Sequence, residues 1–364
     1  MAVDFFPDEE VFVHKPGAIA LICSAFRSHE DGLPEWIKNS SDAYTRKDVA
    51  PDQRVIVVLL KDGRHGQAAA VGCLDFGGIE VRDIEGKFRQ WADPSAAGTD
   101  AGVQGGHGNG GKCYMTQLFS EHAYLHSVYK GRGNKYGFKG GDPTPGYFPS
   151  KDKGRDFLVA NPEAELMDAL KVFGLTLKDL PEAAQKAWAT RKAFTMVTGI
   201  GAKHLSKERI RAREWIGNLA GHKEMVFPLQ RNRVYVLHNG TVHSDANPLT
   251  LPDIAPIPGA EAPRVIQIPE EIPDPLTGEP VATGAVKDRS ALYLRTSDKS
   301  MQGFKRQARH AIFGWTLDAR STGFWEVSAL STAAYANKIY GDIYLEALKD
   351  YKQNDRRNHS DAPL

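Results

Sequence analysis

Helical and strand spacings of apolar residues succeed one another along the first two-thirds of the chain. Residues 16–46 carry a helical pattern, interrupted by His29-Glu30-Asp31-Gly32-Leu33-Pro34, and the mostly apolar part, 18–26, reads as buried. Pro34 suits a first helical position, where its missing N–H costs nothing, so a second helix is expected to open at Glu35. Residues 54–60 form a β-branched run, Asp62-Gly63 is a turn signal and residues 67–74 read as a second strand, which together predict a β-hairpin. The stretch 80–104 is polar, lacks clear periodicity and ends in alanine and glycine, so it reads as mobile. A helix is expected over 113–122, a strand over 124–129 and a loop over 131–149, the last from its glycine, proline and lysine content. Asn161-Pro162 opens a helical region to about residue 192, with Leu166, Leu170 and Phe173 on one face. Residues 193–198 predict a strand, 206–219 a helix, and 233–243 a hairpin turning at Asn239-Gly240.

The pattern then changes. Prolines at 248, 252, 256, 258, 263, 269, 273, 275 and 280 suggest a semi-rigid extended connector. Beyond it, 291–296 and 311–317 read as strands, and Tyr340, Ile343, Tyr344, Ala347, Leu348 and Tyr351 fall at the spacing of a long amphipathic helix. The expected domains are 1–245, the connector 246–285, and a second α/β region at 286–364. No internal repeat is evident, and the polar tail at 355–364 leaves open that a longer protein continues beyond it.

Composition adds limits. With 364 residues, 41% hydrophobic and 25% charged, the chain can bury a real core, and a formal net charge of +1 gives no overall bias toward nucleic acid or anionic membrane. Cys23, Cys73 and Cys113 have no metal-ligand spacing and read as reduced thiols. The start lacks the pattern of a secretory leader and no apolar run reaches membrane-spanning length, so a cytoplasmic location and no membrane partner are expected. His107, His122 and His126 read as loop or surface histidines, and the basic run 305–310 as a solvated face.

Three stretches carry chemistry. At about 100° per residue, Asn39 lies roughly 40° from Glu35 and Asp42 roughly 20° to the other side, so one helical face presents all three. A carboxylate there can polarise a water, and a carboxamide oxygen can ligate Mg²⁺. Asp75-Phe76-Gly77-Gly78-Ile79 ends the second strand, where glycine permits close backbone approach and a carboxylate can accept a hydrogen bond from an exocyclic amine. Gly105-Gly106-His107-Gly108-Asn109-Gly110-Gly111-Lys112 feeds a helix N-terminus, where consecutive N–H groups and a lysine can cradle phosphate. The loop nearly spells a P-loop, but Cys113 replaces the metal-binding hydroxyl and no buried strand precedes it.

Together the stretches resemble the ATP-binding fold of the GHKL superfamily, which includes DNA gyrase, the heat-shock chaperone ATPase, histidine kinases and MutL. Glu35, Asn39, Asp42 and Ala43 resemble its N-box, Asp75 to Ile79 its adenine-binding box, and the loop ending at Lys112 its second glycine box; Gly108 to Lys112 is most similar to the MORC-type ATPases. The resemblance implies an α/β (Bergerat) sandwich with a mixed sheet covered by helices on one face, plus a smaller C-terminal transducer-like region. It implies Glu35 as general base, Asn39 as Mg²⁺ ligand and Asp75 as adenine partner, with Gly77, Gly78 and Ile79 beside it. Residues 80–104 would be the ATP lid, and Thr195 would correspond to the threonine after a third glycine box, although Phe194 stands where glycine is usual. Phe76 replaces an asparagine, which reshapes the adenine pocket. The implied activity is Mg²⁺-dependent ATP hydrolysis with lid closure driving homodimerisation. An ATP-gated switch acting on DNA or a client protein is the alternative, and Lys203 or Lys299 is a candidate to reach the γ-phosphate.

Overall fold

The computed structural model describes residues 15–23, 28–64, 66–91, 109–140, 142–148, 156–203, 210–251, 253–274, 276–285, 287, 290–299, 312–315, 323–326 and 338–344. The chain begins with α1 (Lys15–Ile22), α2 (His29–Arg46), β1 (Val55–Lys61), β2 (Ala70–Asp75), α3 (Val81–Arg89) and α4 (Gly110–Gln117). It continues with β3 (Phe119–Tyr129), β4 (Arg132–Lys139), β5 (Gly146–Tyr147), β6 (Phe157–Leu158), α5 (Pro162–Lys171), α6 (Glu182–Arg191) and β7 (Phe194–Ala202). Then come α7 (Ala212–Ala220), α8 (Val226–Arg231), β8 (Arg233–His238) and β9 (Thr241–Val242). The remaining strands are β10 (Arg264–Gln267), β11 (Glu271–Pro273), β12 (Pro280–Ala282), β13 (Ala291–Thr296), β14 (Ile312–Trp315), β15 (Gly323–Glu326) and β16 (Ile339–Tyr344).

The first nine strands make one sheet in the order β5-β4-β3-β7-β2-β1-β8-β9, with β6 also paired to β4. It is mixed, because β1 runs parallel to β8 and antiparallel to β2. The apolar run of β1 has a simple cause. Ile56, Val58 and Leu60 enter one core while Val55, Val57 and Leu59 enter another, so the strand is buried on both faces.

The first core holds Trp36, Ile37 and Tyr44 of α2, Tyr114 and Met115 of α4, and Trp215, Ile216 and Leu219 of α7. The second holds Leu166 and Leu170 of α5 and Trp188 of α6. The α/β architecture with a mixed sheet is therefore present, but helices cover both faces rather than one. The cause is β1, apolar from Val55 to Leu60, whose second face would otherwise lie in water.

Local expectations fare unevenly. The β1–β2 and β8–β9 hairpins form as expected. The helix expected to open at Glu35 instead runs unbroken from His29 through Pro34. Tertiary contacts hold that first part, since buried His29 bonds Tyr114 Oη at 2.8 Å and stacks on Trp215. Within the stretch read as aperiodic, Val81, Ile84 and Phe88 bury one face of α3, a helical spacing that was available in the sequence. The helix expected over 113–122 ends at Gln117, and the presumed loop after residue 131 contains β4, paired with β3 from Arg132 to Lys139. The helical region 161–192 is broken between α5 and α6, where Gly174 takes φ +71° and Pro181 precedes the second helix.

The second region differs most from expectation. Its described strands form a sheet in the order β10-β13-β16-β14-β15. The front of the presumed amphipathic helix is β16, paired on both sides by β13 and β14. Residues 345–364 lie outside the described residues. Part of the proline-rich connector joins this sheet, because β10 pairs with β13, and another part folds as the β11–β12 hairpin. Cys23 and Cys113, read as free thiols, are joined by a disulfide across Cα atoms 4.9 Å apart, and only Cys73 is a free cysteine. The run 305–310 lies outside the described residues.

Candidate functional site

Helix α2 is touched by residues of both other stretches, Gly110 and Gly111 on one side and the Asp75 turn on another. Helix α2 crosses α4 through Trp36, whose Nε1 donates to Gly111 O at 3.2 Å. Glu35 Oε2 occupies the place where a Gly110 side chain would begin, and a methyl on Gly111 would lie 2.9 Å from Asn39 Nδ2. The glycines are needed for this approach. A carboxylate and an amide therefore meet the first turn of α4, where backbone N–H groups lack intrahelical acceptors and the helix dipole favours negative charge.

Glu35 and Asn39 differ in setting. Asn39 is exposed, whereas Glu35 is 4% exposed and accepts from Lys38 Nζ at 2.9 Å. Lys38 also donates to Glu224 at 3.1 Å, so one buried ammonium bridges two carboxylates. Each carboxylate thereby gains a charged hydrogen bond that offsets part of the cost of its burial. The sequence contained a hint of the first bond in the i, i+3 spacing, and none of the second, which spans 186 residues.

One turn farther along α2, Ser40 Oγ donates to Asp75 Oδ2 at 2.7 Å. Gly77 N donates to Asp75 Oδ1 at 2.8 Å, a turn that fixes the carboxylate. Burial pushes the Asp75 pKa up from 3.8 to about 6, opposed by the bonds from Ser40 and Gly77 and by the charge of Lys47. Lys47 Nζ reaches the carbonyls of Gly77, at 2.9 Å, and of Gly78, and lies 3.6 Å from the Tyr129 ring centroid. Its own pKa falls to about 8, chiefly through burial and against the attraction of Asp75. Ser40, Lys38, Lys47 and Glu224 are the site residues that sequence reasoning missed.

Other expected members fall nearby. Asp42 is buried, and a Cβ on Gly77 would sit 3.6 Å from Ala43 Cβ, so helix and turn are close. Gly78 adopts φ +66° with a Cβ position that the Tyr129 ring would occupy, which requires glycine there. Ile79 N donates to Ser127 Oγ at 3.1 Å, and that hydroxyl lies 3.3 Å from Thr195 Oγ1. Thr195 stands directly across β7 from Asp75, so this remote threonine does join the cluster.

Lys112 is placed differently. Its ammonium caps α3 by donating to Lys87 O at 2.8 Å and to Gln90 O, with the Trp91 ring centroid 4.8 Å away. Asn109 is buried at the start of α4, while Gly105, Gly106, His107 and Gly108 lie outside the described residues, as does residues 92–104 of the expected lid. Lys203 follows β7, and its carbonyl bonds His29 Nε2 at 2.9 Å. Lys299 is tied by its backbone N–H to Ser297 Oγ at 3.3 Å.

A magnesium ion needs oxygen ligands but keeps several waters and usually takes only one or two from protein. No cluster of three His, Cys, Asp or Glu side chains suited to a metal occurs among the described residues. Exposed Asn39 supplies one neutral oxygen. That donor set fits an ion held mainly by phosphate and water, and does not fit a cage built by protein alone.

No family model and no curated relative matches the chain. Among solved structures it is similar to the ATPase region of Saccharomyces cerevisiae topoisomerase II, at 12% identity and a TM-score of 0.38, over 91% of this chain and 73% of that one. The same region bound to ICRF-187 (dexrazoxane) gives 11% identity and a TM-score of 0.38 over 91% and 74%. The ATPase and transducer domains of DNA topoisomerase II from Balamuthia mandrillaris give 11% and 0.38 over 86% and 72%. At that similarity the α/β assignment rests on strand order and packing. No helix among the described residues is long and apolar enough to cross a membrane.

Proposed function

We propose that this chain binds and hydrolyses Mg²⁺-ATP as an ATPase of the GHKL type. One observation carries the reading: α2 sets Glu35 and Asn39 against the first two residues of α4 while its Ser40 holds Asp75 at the end of β2. Three segments far apart in sequence thereby meet around one helix. In this reading Asp75 accepts from the adenine amine, with Gly77, Gly78, Ile79 and Thr195 around the ring. The N–H groups from Asn109 to Gly111, with Gly105 to Gly108 before them, receive phosphate oxygens. Asn39 holds the magnesium ion, which neutralises phosphate charge when bound.

Glu35 orients and deprotonates the attacking water, and Lys38 with Glu224 fixes the direction of its carboxylate. Phosphoryl transfer asks mainly for positioning and charge stabilisation, so loss of the base should spare binding. Glu35→Gln is expected to bind Mg²⁺-ATP normally and to hydrolyse it about 10²-fold more slowly or worse. Asn39→Ala is expected to lose Mg²⁺-ATP binding. Unchanged turnover in Glu35→Gln, followed by phosphate release, would remove the base assignment.

A second reading has its own support. Glu35 is already engaged by Lys38 and faces the α4 N-terminus, where a carboxylate is stabilising without any catalysis. The chain would then be an ATP-gated switch that dimerises on binding and acts on DNA or a client protein. Light scattering with ATP and with a non-hydrolysable analogue separates the two: a switch dimerises equally with both and releases no phosphate.

A further inference from the structure

The sheet carries a second concavity on the face opposite α2, over β3, β4 and β5. Along β3, Ala123 and Leu125 turn into the first core, so the even-numbered His122, Tyr124 and His126 turn the other way. Across the strand pair, Tyr124 faces Gly137, and Gly137 in turn faces Gly146 on β5. Two neighbouring strands thus offer no side chain at one level. The result is a cleft of about 610 Å³ with Lys135 and Lys139 on its β4 side.

Its walls are aromatic. The Phe148 ring centroid lies 5.2 Å from Tyr124 and 5.8 Å from His122, so three rings cluster at one end of the cleft. The charge on the rim is uneven. Lys135 lies 4.6 Å over the Tyr124 ring and 3.8 Å from Asp168, and His126 pairs with Glu165 at 3.3 Å. Lys139 is exposed and has no side-chain partner among the described residues, and His122 Nδ1 is buried with no hydrogen-bond partner. Asp168 thus faces the Lys135 ammonium and Glu165 the His126 imidazole, while the Lys139 ammonium and one His122 ring nitrogen have no such partner among the described residues.

We propose that this cleft is a second ligand site, taking a small molecule with a planar aromatic ring and one anionic group. The ring packs on Phe148 and Tyr124 above the Gly137–Gly146 floor, and the anion meets Lys139 and His122. The volume lies within the range of small-molecule sites, and the combination of apolar walls with few polar groups is what orients such ligands. The site stands apart from the α2–α4 face and does not depend on the function proposed for that face.

Gly146 supplies the test, because a Cβ there meets nothing within 4 Å and its φ is not positive, so a large side chain can enter the cleft without strain. Titration calorimetry of the full chain with 2-naphthoate is expected to show saturable binding of one molecule per chain. Gly146→Trp should abolish it while leaving the melting temperature unchanged, and Lys139→Glu should weaken it about tenfold. The cationic analogue 2-naphthylmethylamine should bind far more weakly. Absence of saturable binding, equal binding of the amine, or naphthoate affinity unaltered in folded Gly146→Trp overturns the proposal. If Gly146→Trp fails to fold, Lys139→Glu decides it, since retention of full affinity there is equally fatal.

Discussion

The two faces of the nine-stranded sheet are both buried, yet they are built from different chemistry. Under α5 and α6 the packing is mostly hydrophobic, with Leu166, Leu170, Trp188 and Phe194 in one cluster and a buried pair, His126 with Glu165, beside it. Under α2 and α4 aromatic packing surrounds buried charge: Glu35, Lys38, Asp42, Asp75 and Glu224 are all removed from water. Burial of charge costs free energy that apolar residues of the same volume would not. The same β1 supplies both faces, so the difference is no property of the strand. It marks the α2 face as the one where most of the buried charge gathers.

The strongest way to break this comparison is a pair of substitutions. Trp188→Ala on the apolar face should cost about 3–5 kcal/mol through lost burial and a cavity. Lys38→Met on the charged face should cost a similar amount, about 3–5 kcal/mol, because it removes the ammonium that two buried carboxylates share. Urea titrations at several pH values distinguish them. The Lys38→Met loss should shrink as the pH falls and the carboxylates take up protons, while the Trp188→Ala loss should not change. A pH-independent Lys38→Met loss would mean that the ammonium contributes packing alone.

Asp75 gives the next largest effect. Its folded pKa of about 6 lies above its ordinary 3.8, so the folded protein binds more protons than the unfolded chain between those values. Stability should therefore fall as the pH rises from about 4 to about 6, by on the order of 3 kcal/mol, and level off above. Asp62 acts in the opposite sense. Its pKa is lowered to about 2 by hydrogen bonds from His238, Ile210 and Asn239 that outweigh its burial, and the stability it confers is present above 3.8 and lost as the pH falls through about 2. The two windows are separate, and Asp75→Asn should erase only the upper one. On the proposed function, ligand affinity should also weaken below pH about 6, as the adenine-accepting carboxylate is neutralised.

Lys112→Ala has the smallest effect, about 1.5–3 kcal/mol, from loss of charged hydrogen bonds at the α3 C-terminus. Nucleotide affinity should change little. A collapse of affinity with an unchanged melting temperature would instead show that the ammonium leaves α3 for a bound phosphate.

Elements whose partners lie close in sequence were legible before any coordinates. The β1–β2 hairpin shows its β-branched run and turn, and the helix face shared by Glu35 and Asn39 follows from periodicity alone. The failures share a cause. Residues 132–139 look like a loop because of Gly133 and Gly137, but those glycines are there because Phe157 and the Tyr124 backbone occupy the places their side chains would take. Tyr340, Ile343 and Tyr344 fit a helix equally well until β13 and β14 claim the segment as a strand.

By itself, the amino-acid order determined the α/β class, the first hairpin and the polar stripe that faces α4, because these follow from periodicities within a dozen residues. Tertiary structure decided that Lys112 turns to α3, that Glu224 shares Lys38 with Glu35, and that Cys23 meets Cys113. Such pairings depend on how separate elements pack, and a long flexible chain offers each charge and thiol many partners of equal local merit until the two cores have formed.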